Sequence, residues 1–176
     1  MLYLLNKYKC QCEWFNNKQL MVMYDEDTAH GEDILTKDLR KFLFNNGIDY
    51  PFSEPNTPSG KPDIIYGIDT NDPLALEVKL FGGKSNYGKN YIKKGFHQAI
   101  SYANDYNKPS AFLLIFNLSD NLLEFNLSHE NDEILSVNIN NKDIFIIVIN
   151  LNINDESASK SRKNVVQIEE EYLIEE

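Results

Sequence analysis

The patterning of this 176-residue chain predicts an α/β domain in which helices flank a central mixed β-sheet. Two stretches carry apolar residues at alternating steps of three and four, as an amphipathic helix requires. Between and after them lie runs of β-branched and aromatic residues bounded by turn formers, the pattern of strands. Hydrophobic residues make up 42% of the chain, enough for one sizeable core. No shift in composition divides it, so residues 1–176 read as a single domain.

The elements follow in order. Residues 8–15 and 19–24, separated by Asn16, Asn17 and Lys18, read as a β-hairpin that adds strands at the N-terminal end. Residues 28–46 form the first helix: its apolar stripe runs through Leu35, Leu39, Phe42 and Leu43, and Gly47 stops it. Ile64, Ile65 and Tyr66 make a short strand. The turn-rich stretch 67–73 leads to a second strand, 74–80, and closes a hairpin. Residues 90–106 form the second helix, with Ile92, Phe96, Ala99, Ala103 and Tyr106 on its apolar stripe. A neighbouring stripe carries Asn90, Lys94, Gln98 and Tyr102. Strands follow at 111–116, 122–127 and 144–150, and 165–168 with 172–174 complete a β-rich C-terminal flank. Residues 128–133 and 155–164 are polar loops.

Within the hairpin, strand geometry concentrates charge. Successive side chains point to opposite faces, so Glu77 and Lys79 share one face while Leu74, Leu76, Val78 and Leu80 share the other. Asp63 stands just before the first strand, which sets it near Glu77 across the ladder. Two carboxylates so placed suit a shared Mg²⁺ or Mn²⁺, which takes hard oxygen ligands and completes its shell with water and phosphate. Lys79, two residues from a ligand, is placed to position an attacking water or to balance charge developing on phosphorus.

Pro62-Asp63, thirteen intervening residues and Glu77-Val78-Lys79 resemble the signature of the PD-(D/E)xK nuclease superfamily. Both flanks agree with the resemblance. The superfamily carries an acidic residue on the helix before the catalytic hairpin, and Glu32, three residues before Leu35, lies on the buried side; the plainer reading is that it favours the dipole of the first helical turn. Asp33 pairs outward with Lys37 at i,i+4, and Asp38 is a weaker competitor. Gln98 and Tyr102 resemble the Q-x-x-x-Y motif of the RecB-like branch. The resemblance covers roughly residues 28–117 and implies a restriction-endonuclease-like core with Asp63, Glu77 and Glu32 as metal ligands, Lys79 positioning water, and Gln98 and Tyr102 lining the site. It implies hydrolysis of phosphodiesters in nucleic acid, most of all DNA, in restriction, phage defence or repair. The alternative is a nuclease-like binding or assembly subunit that has lost catalysis; a third reading is an acidic interaction protein in which the motif is accidental. Cutting both strands needs two active sites, hence a homodimer or a partner subunit.

Charge distribution bears on the same function. The chain carries −10 overall, yet residues 78–104 contain Lys79, Lys84, Lys89, Lys93 and Lys94 and no Asp or Glu. Four of these, Lys84, Lys89, Lys93 and Lys94, interleave with aromatic residues around glycines. They read as a flexible basic loop and helix start that hold nucleic-acid phosphates, or, more plainly, as a solvated face. The cluster of glutamates at 169–171 and 175–176 is unsuited to nucleic acid. Cys10 and Cys12, on a strand, would face the same way as reduced thiols; His30, His97 and His129 are too scattered to complete a zinc site. Two cysteines also exclude the four-cysteine iron–sulfur cluster of some RecB-like nucleases. With no apolar run long enough to span a membrane and no secretion signal, the expected location is the cytoplasm, with no membrane partner.

Overall fold

A computed structural model describes residues 1–49, 58–85, 87–128, 134–152 and 164–175. The chain opens with helix α1 (Leu2–Gln11), a π-helical segment (Cys12–Asn16) and α2 (Asn17–Glu26). A 3₁₀ turn (Thr28–His30) leads into α3 (Gly31–Asn45). Strands β1 (Ile64–Tyr66) and β2 (Leu74–Phe81) precede α4 (Lys89–Asp105) and β3 (Ser110–Asn117). The remainder is β4 (Leu122–Asn126), β5 (Leu135–Ile139), β6 (Lys142–Asn150), β7 (Val165–Glu169) and the short α5 (Glu170–Ile174).

Five strands form a mixed central sheet in the order β1-β2-β3-β6-β5. β2, β3 and β6 run parallel, and β1 and β5 lie antiparallel at the two edges. Parallel neighbours need a crossover, which α4 supplies between β2 and β3. Because β2 is paired on both sides and covered on both faces, all eight of its residues are buried. Leu74, Leu76, Val78 and Leu80 pack in one core with Leu5, Tyr8, Leu20 and Tyr24 of the N-terminal helices and Leu35, Leu39 and Leu43 of α3. Ala75 and Phe81 share the opposite core with Ile92, Phe96, Ala99 and Ala103 of α4. β4 and β7 pair as a separate parallel two-stranded sheet whose Phe125 and Ile168, with Leu173 of α5, extend that second core.

The predicted N-terminal hairpin is instead helical. Leu5, Tyr8 and Cys12 are buried at steps of three and four, and Leu20 and Tyr24 at a step of four, a helical rhythm. Leu20 follows Cys12 at a step of eight, about one more than two α-turns take, and the wider π segment absorbs the extra one. Two aromatic residues of the expected first strand, Trp14 and Phe15, stand on the exposed side. Cys10 and Cys12 therefore lie in this helical stretch; both are free thiols, and burial pushes Cys12 up to about 12.

At the other end, residues 172–174 are helical, not extended: Glu170 and Glu171 open α5, where carboxylates favour the N-terminal end of the helix dipole. β5 is a strand beyond those expected. It joins β6 through Asn140 and Asn141 at φ 52° and 60°, the paired left-handed geometry of a tight hairpin turn that Asn tolerates. The polar loops expected at 128–133 and 155–164 fall, apart from Ser128 and Asn164, outside the described residues, as does His129. Among the described residues no helix is long and apolar enough to cross a membrane.

Candidate active site

The β1–β2 ladder builds the centre. Ile64 pairs with Leu76 in antiparallel register, so the next step back sets Asp63 against Glu77. Asp63 Oδ2 accepts the Val78 N–H at 2.7 Å, and its backbone carbonyl accepts from Arg40 Nη2 at 2.5 Å. Those two contacts fix the acid at the mouth of the strand. Glu77 and Lys79 project from β2 toward α4, with only 3% and 4% of their surfaces exposed. A buried charge is costly unless paired, and here the pairing is direct: Lys79 Nζ donates to Glu77 Oε1 at 2.5 Å and to the Val78 carbonyl at 3.1 Å.

Glu32 joins from the first turn of α3, with its side chain 27% exposed. Its Oε1 lies 3.7 Å from Lys79 Nζ, and its Oε2 accepts the Tyr91 hydroxyl at 2.8 Å. The outward reading holds for Asp33, which pairs with Lys37 at 2.6 Å on the solvent side. Asp38 accepts the Tyr8 hydroxyl at 2.8 Å, a contact inside the N-terminal helical layer that separates it from the centre.

From α4, Tyr102 is buried and donates to the Lys61 carbonyl at 2.9 Å. The hydroxyl also lies within reach of Glu77 and Gln98, but its single proton is aimed at the Lys61 carbonyl, so Glu77 Oε2 is buried with no donor of its own among the described residues. Gln98 Oε1 is likewise buried and unpartnered. Glu32, Asp63, Glu77, Lys79, Gln98 and Tyr102 thus converge from α3, the β1–β2 hairpin and α4.

The electrostatics follow from this enclosure. Burial, reinforced by the Asp63 charge, pushes Glu77 up to about 7. Burial also raises Asp63 and Glu32, against the attraction of Lys79. Tyr91 and Tyr102 are held well above the ordinary phenol value, by burial first and by the neighbouring Glu32 and Glu77 respectively. Both hydroxyls are therefore donors.

The carboxylates fit a hard divalent cation by their chemistry. Among the described residues Glu77 Oε2 is an acceptor without a donor, and Asp63, whose charge repels both Glu77 and Glu32, would be relieved with them by positive charge. As arranged here, Glu77 and Glu32 turn toward Lys79, and among the described residues no three acidic, histidine or cysteine side chains form one cation cluster.

Two features of this centre escape the sequence motif. Tyr91 touches both Glu32 and Lys79, its ring centroid 5.0 Å from the ammonium. Gly95 lets α4 close on β2: a Cβ there would stand 2.5 Å from Lys79 Cγ and 3.0 Å from Leu113 Cδ1. A glycine inside a helical pattern is the sequence sign of such a close approach.

The four remaining lysines divide between two surfaces. Asn90, Lys93, Lys94, His97, Gln98 and Ser101 line a groove of about 510 Å³ along α4 that meets the centre at Gln98. Lys93 also lies over the Tyr172 ring at 5.2 Å, and His97 Nε2 is 3.1 Å from the Glu175 carbonyl. Lys89 is exposed at the start of α4. Lys84 belongs elsewhere, paired with Asp25 of α2 at 2.9 Å. The expected flexible loop is in its described part pinned: the Lys84 N–H donates to the Tyr24 hydroxyl at 3.1 Å, and Gly82 and Tyr87 exchange backbone hydrogen bonds at 2.7 and 3.1 Å. Compared with protein-family models, with curated proteins and with solved structures, the chain matches none.

Proposed function

We propose that this chain is a metal-dependent nuclease of the PD-(D/E)xK type, on a restriction-endonuclease-like core, that hydrolyses phosphodiester bonds in nucleic acid and acts foremost on DNA. The observation that supports it most is the convergence of Glu77 and Glu32 on a buried Lys79, with Asp63 set against Glu77 by the β1–β2 register. Acids raised by burial beside an amine are characteristic of functional sites and a poor choice for stability alone. Asp63 and Glu77, with Glu32 beside them, are the residues that would hold Mg²⁺ or Mn²⁺. Bound there, the ion supplies Lewis-acid polarisation of a phosphate oxygen and a water more readily deprotonated.

The protein's own groups do the rest. Lys79 orients the attacking water and offsets charge on the phosphoryl oxygens. Tyr102 and Gln98 wall the centre on the α4 side. Lys93 and Lys94 in the groove, with Lys89 at its head, hold backbone phosphates on an otherwise acidic molecule. Lys84, paired with Asp25, is the weakest contributor. Cleavage of both strands of a duplex calls for a second copy or a partner subunit.

Calorimetric titration with Mn²⁺ tests the reading. Wild type is expected to bind, and Asp63→Asn with Glu77→Gln to lose that binding. Equal binding by wild type and the double variant would remove the ion from these carboxylates. Binding with no cleavage of any nucleic acid would favour the alternative of a nuclease-like assembly subunit.

A further inference from the structure

Glu32 and Lys79 come from different elements, and their own separation of 3.7 Å is too long for a firm hydrogen bond. One side chain spans the gap. Tyr91, in the first turn of α4, donates its hydroxyl to Glu32 Oε2 at 2.8 Å and presents its ring to the Lys79 ammonium at 5.0 Å. That ring is itself braced. Tyr87 stacks on it with centroids 4.5 Å apart and planes 23° from parallel. Tyr87 is in turn fixed by its pair of backbone hydrogen bonds with Gly82.

We propose that Tyr91 is a positioning residue of the centre: its hydroxyl orients the Glu32 carboxylate, and its ring confines the Lys79 ammonium on the substrate side of β2. The proposal rests on the nuclease reading above and extends it to a residue outside the acid-x-lysine and Q-x-x-x-Y patterns. A hydrogen bond to a carboxylate is shorter and stronger than one between neutral groups. A ring over an ammonium adds attraction where solvent is excluded. Both contacts come from one rigid side chain on a helix anchored by buried Ile92 and Phe96, so Glu32 and Lys79 are set relative to each other before substrate binds. A purely packing role would need neither the hydroxyl nor its alignment with Glu32.

The test is a double-mutant cycle on the full chain, with kcat and KM measured on a DNA substrate and Mn²⁺ affinity measured by calorimetry. Tyr91→Phe keeps the ring and removes only the hydroxyl. It is expected to lower kcat or Mn²⁺ affinity by roughly 10 to 100-fold, the usual effect of removing a group that orients a metal ligand, with KM for DNA unchanged. In a Glu32→Gln background the same change is expected to have almost no further effect, since the residues act as one unit. Tyr91→Leu, which also removes the ring, is expected to lose more than Tyr91→Phe. Tyr87→Leu serves as a second probe with a milder loss, should a Tyr91 variant melt early. Wild-type kcat together with wild-type Mn²⁺ affinity in Tyr91→Phe, or equal losses with and without Glu32, overturns the proposal while leaving the nuclease reading intact. A wild-type protein that neither binds Mn²⁺ nor cuts nucleic acid overturns both.

Discussion

Lys79 Nζ and Glu77 Oε1 lie 2.5 Å apart at the bottom of a site where both side chains are almost fully buried. The pair explains how a charged face survives in the middle of a sheet. Among the described residues the other Glu77 oxygen has no donor, the condition in which a carboxylate takes up either a proton or a cation.

The acids are expected to differ in weight. Glu32→Gln should reduce cleavage by roughly 10 to 100-fold, because Glu32 contacts Lys79 and Tyr91. Asp33→Asn, whose partner is the exposed Lys37, should leave the rate within about twofold, in keeping with the small energy of a surface pair. Steady-state rates of the two purified variants decide this, and equal rates would remove Glu32 from the site.

Proton uptake by Glu77 predicts a pH dependence of stability. Its ordinary value of 4.5 rises to about 7 in the folded protein. Between those values the folded state binds more protons than the unfolded state, so stability falls as pH rises through the window. With no metal added, thermal melts of wild type minus Glu77→Gln should show a contribution present below about pH 4.5 and lost by about pH 7. Added Mg²⁺ should then raise the wild-type Tm more at pH 8 than at pH 5, since ion and proton compete for the same oxygens. A difference curve flat with pH would show that folding does not raise Glu77.

Gly95→Ala should be harmful despite alanine's better helix propensity, which alone would stabilise by about 1 kcal/mol. The added methyl meets the Lys79 stem at 2.5 Å and must displace it or the helix. A folded variant with cleavage lowered at least tenfold is expected. Full activity with a raised Tm would mean that α4 shifts freely and does not fix Lys79.

Salt dependence reports on the groove. Each phosphate neutralised adds about 0.7 to 0.9 to the slope of log affinity against log salt. In a cleavage-dead Asp63→Asn protein with Ca²⁺, Lys93→Gln with Lys94→Gln should flatten that slope by roughly 1.5 if both lysines touch phosphate. Lys37→Gln with Lys41→Gln, exposed on α3, is the control. The reverse ranking would place nucleic acid on another face.

The centre was legible because its parts obey local rules. Alternation in β2 put Glu77 and Lys79 on one face, the turn-rich 67–73 stretch aligned Asp63 with Glu77, and the stripe of α3 turned Glu32 inward and Asp33 outward. The N-terminal layer was not, because Trp14 and Phe15 mimic a strand while standing in solvent, and a π segment breaks the helical period. Tyr91 escaped for a different reason. Its contacts arise only where Glu32 of α3 and Lys79 of β2 come together beside α4, a tertiary contact that leaves no spacing in the chain. The separation of Lys84 from the α4 lysines likewise arises only when α2 brings Asp25 to it.

The most direct measurement is a plasmid-nicking assay, run with single-stranded DNA and RNA in parallel, with Mg²⁺ or Mn²⁺ and with chelator. Wild type is expected to cut DNA only with the ion. Asp63→Asn, Glu77→Gln and Lys79→Ala, each confirmed as folded by its melt, should fall by roughly 10²- to 10⁴-fold, the scale of losing a group that handles the proton or water in the reaction. A well-folded Lys79→Ala protein that cuts at the wild-type rate, or a wild type inert toward every nucleic acid with either ion, would contradict the assignment of this centre.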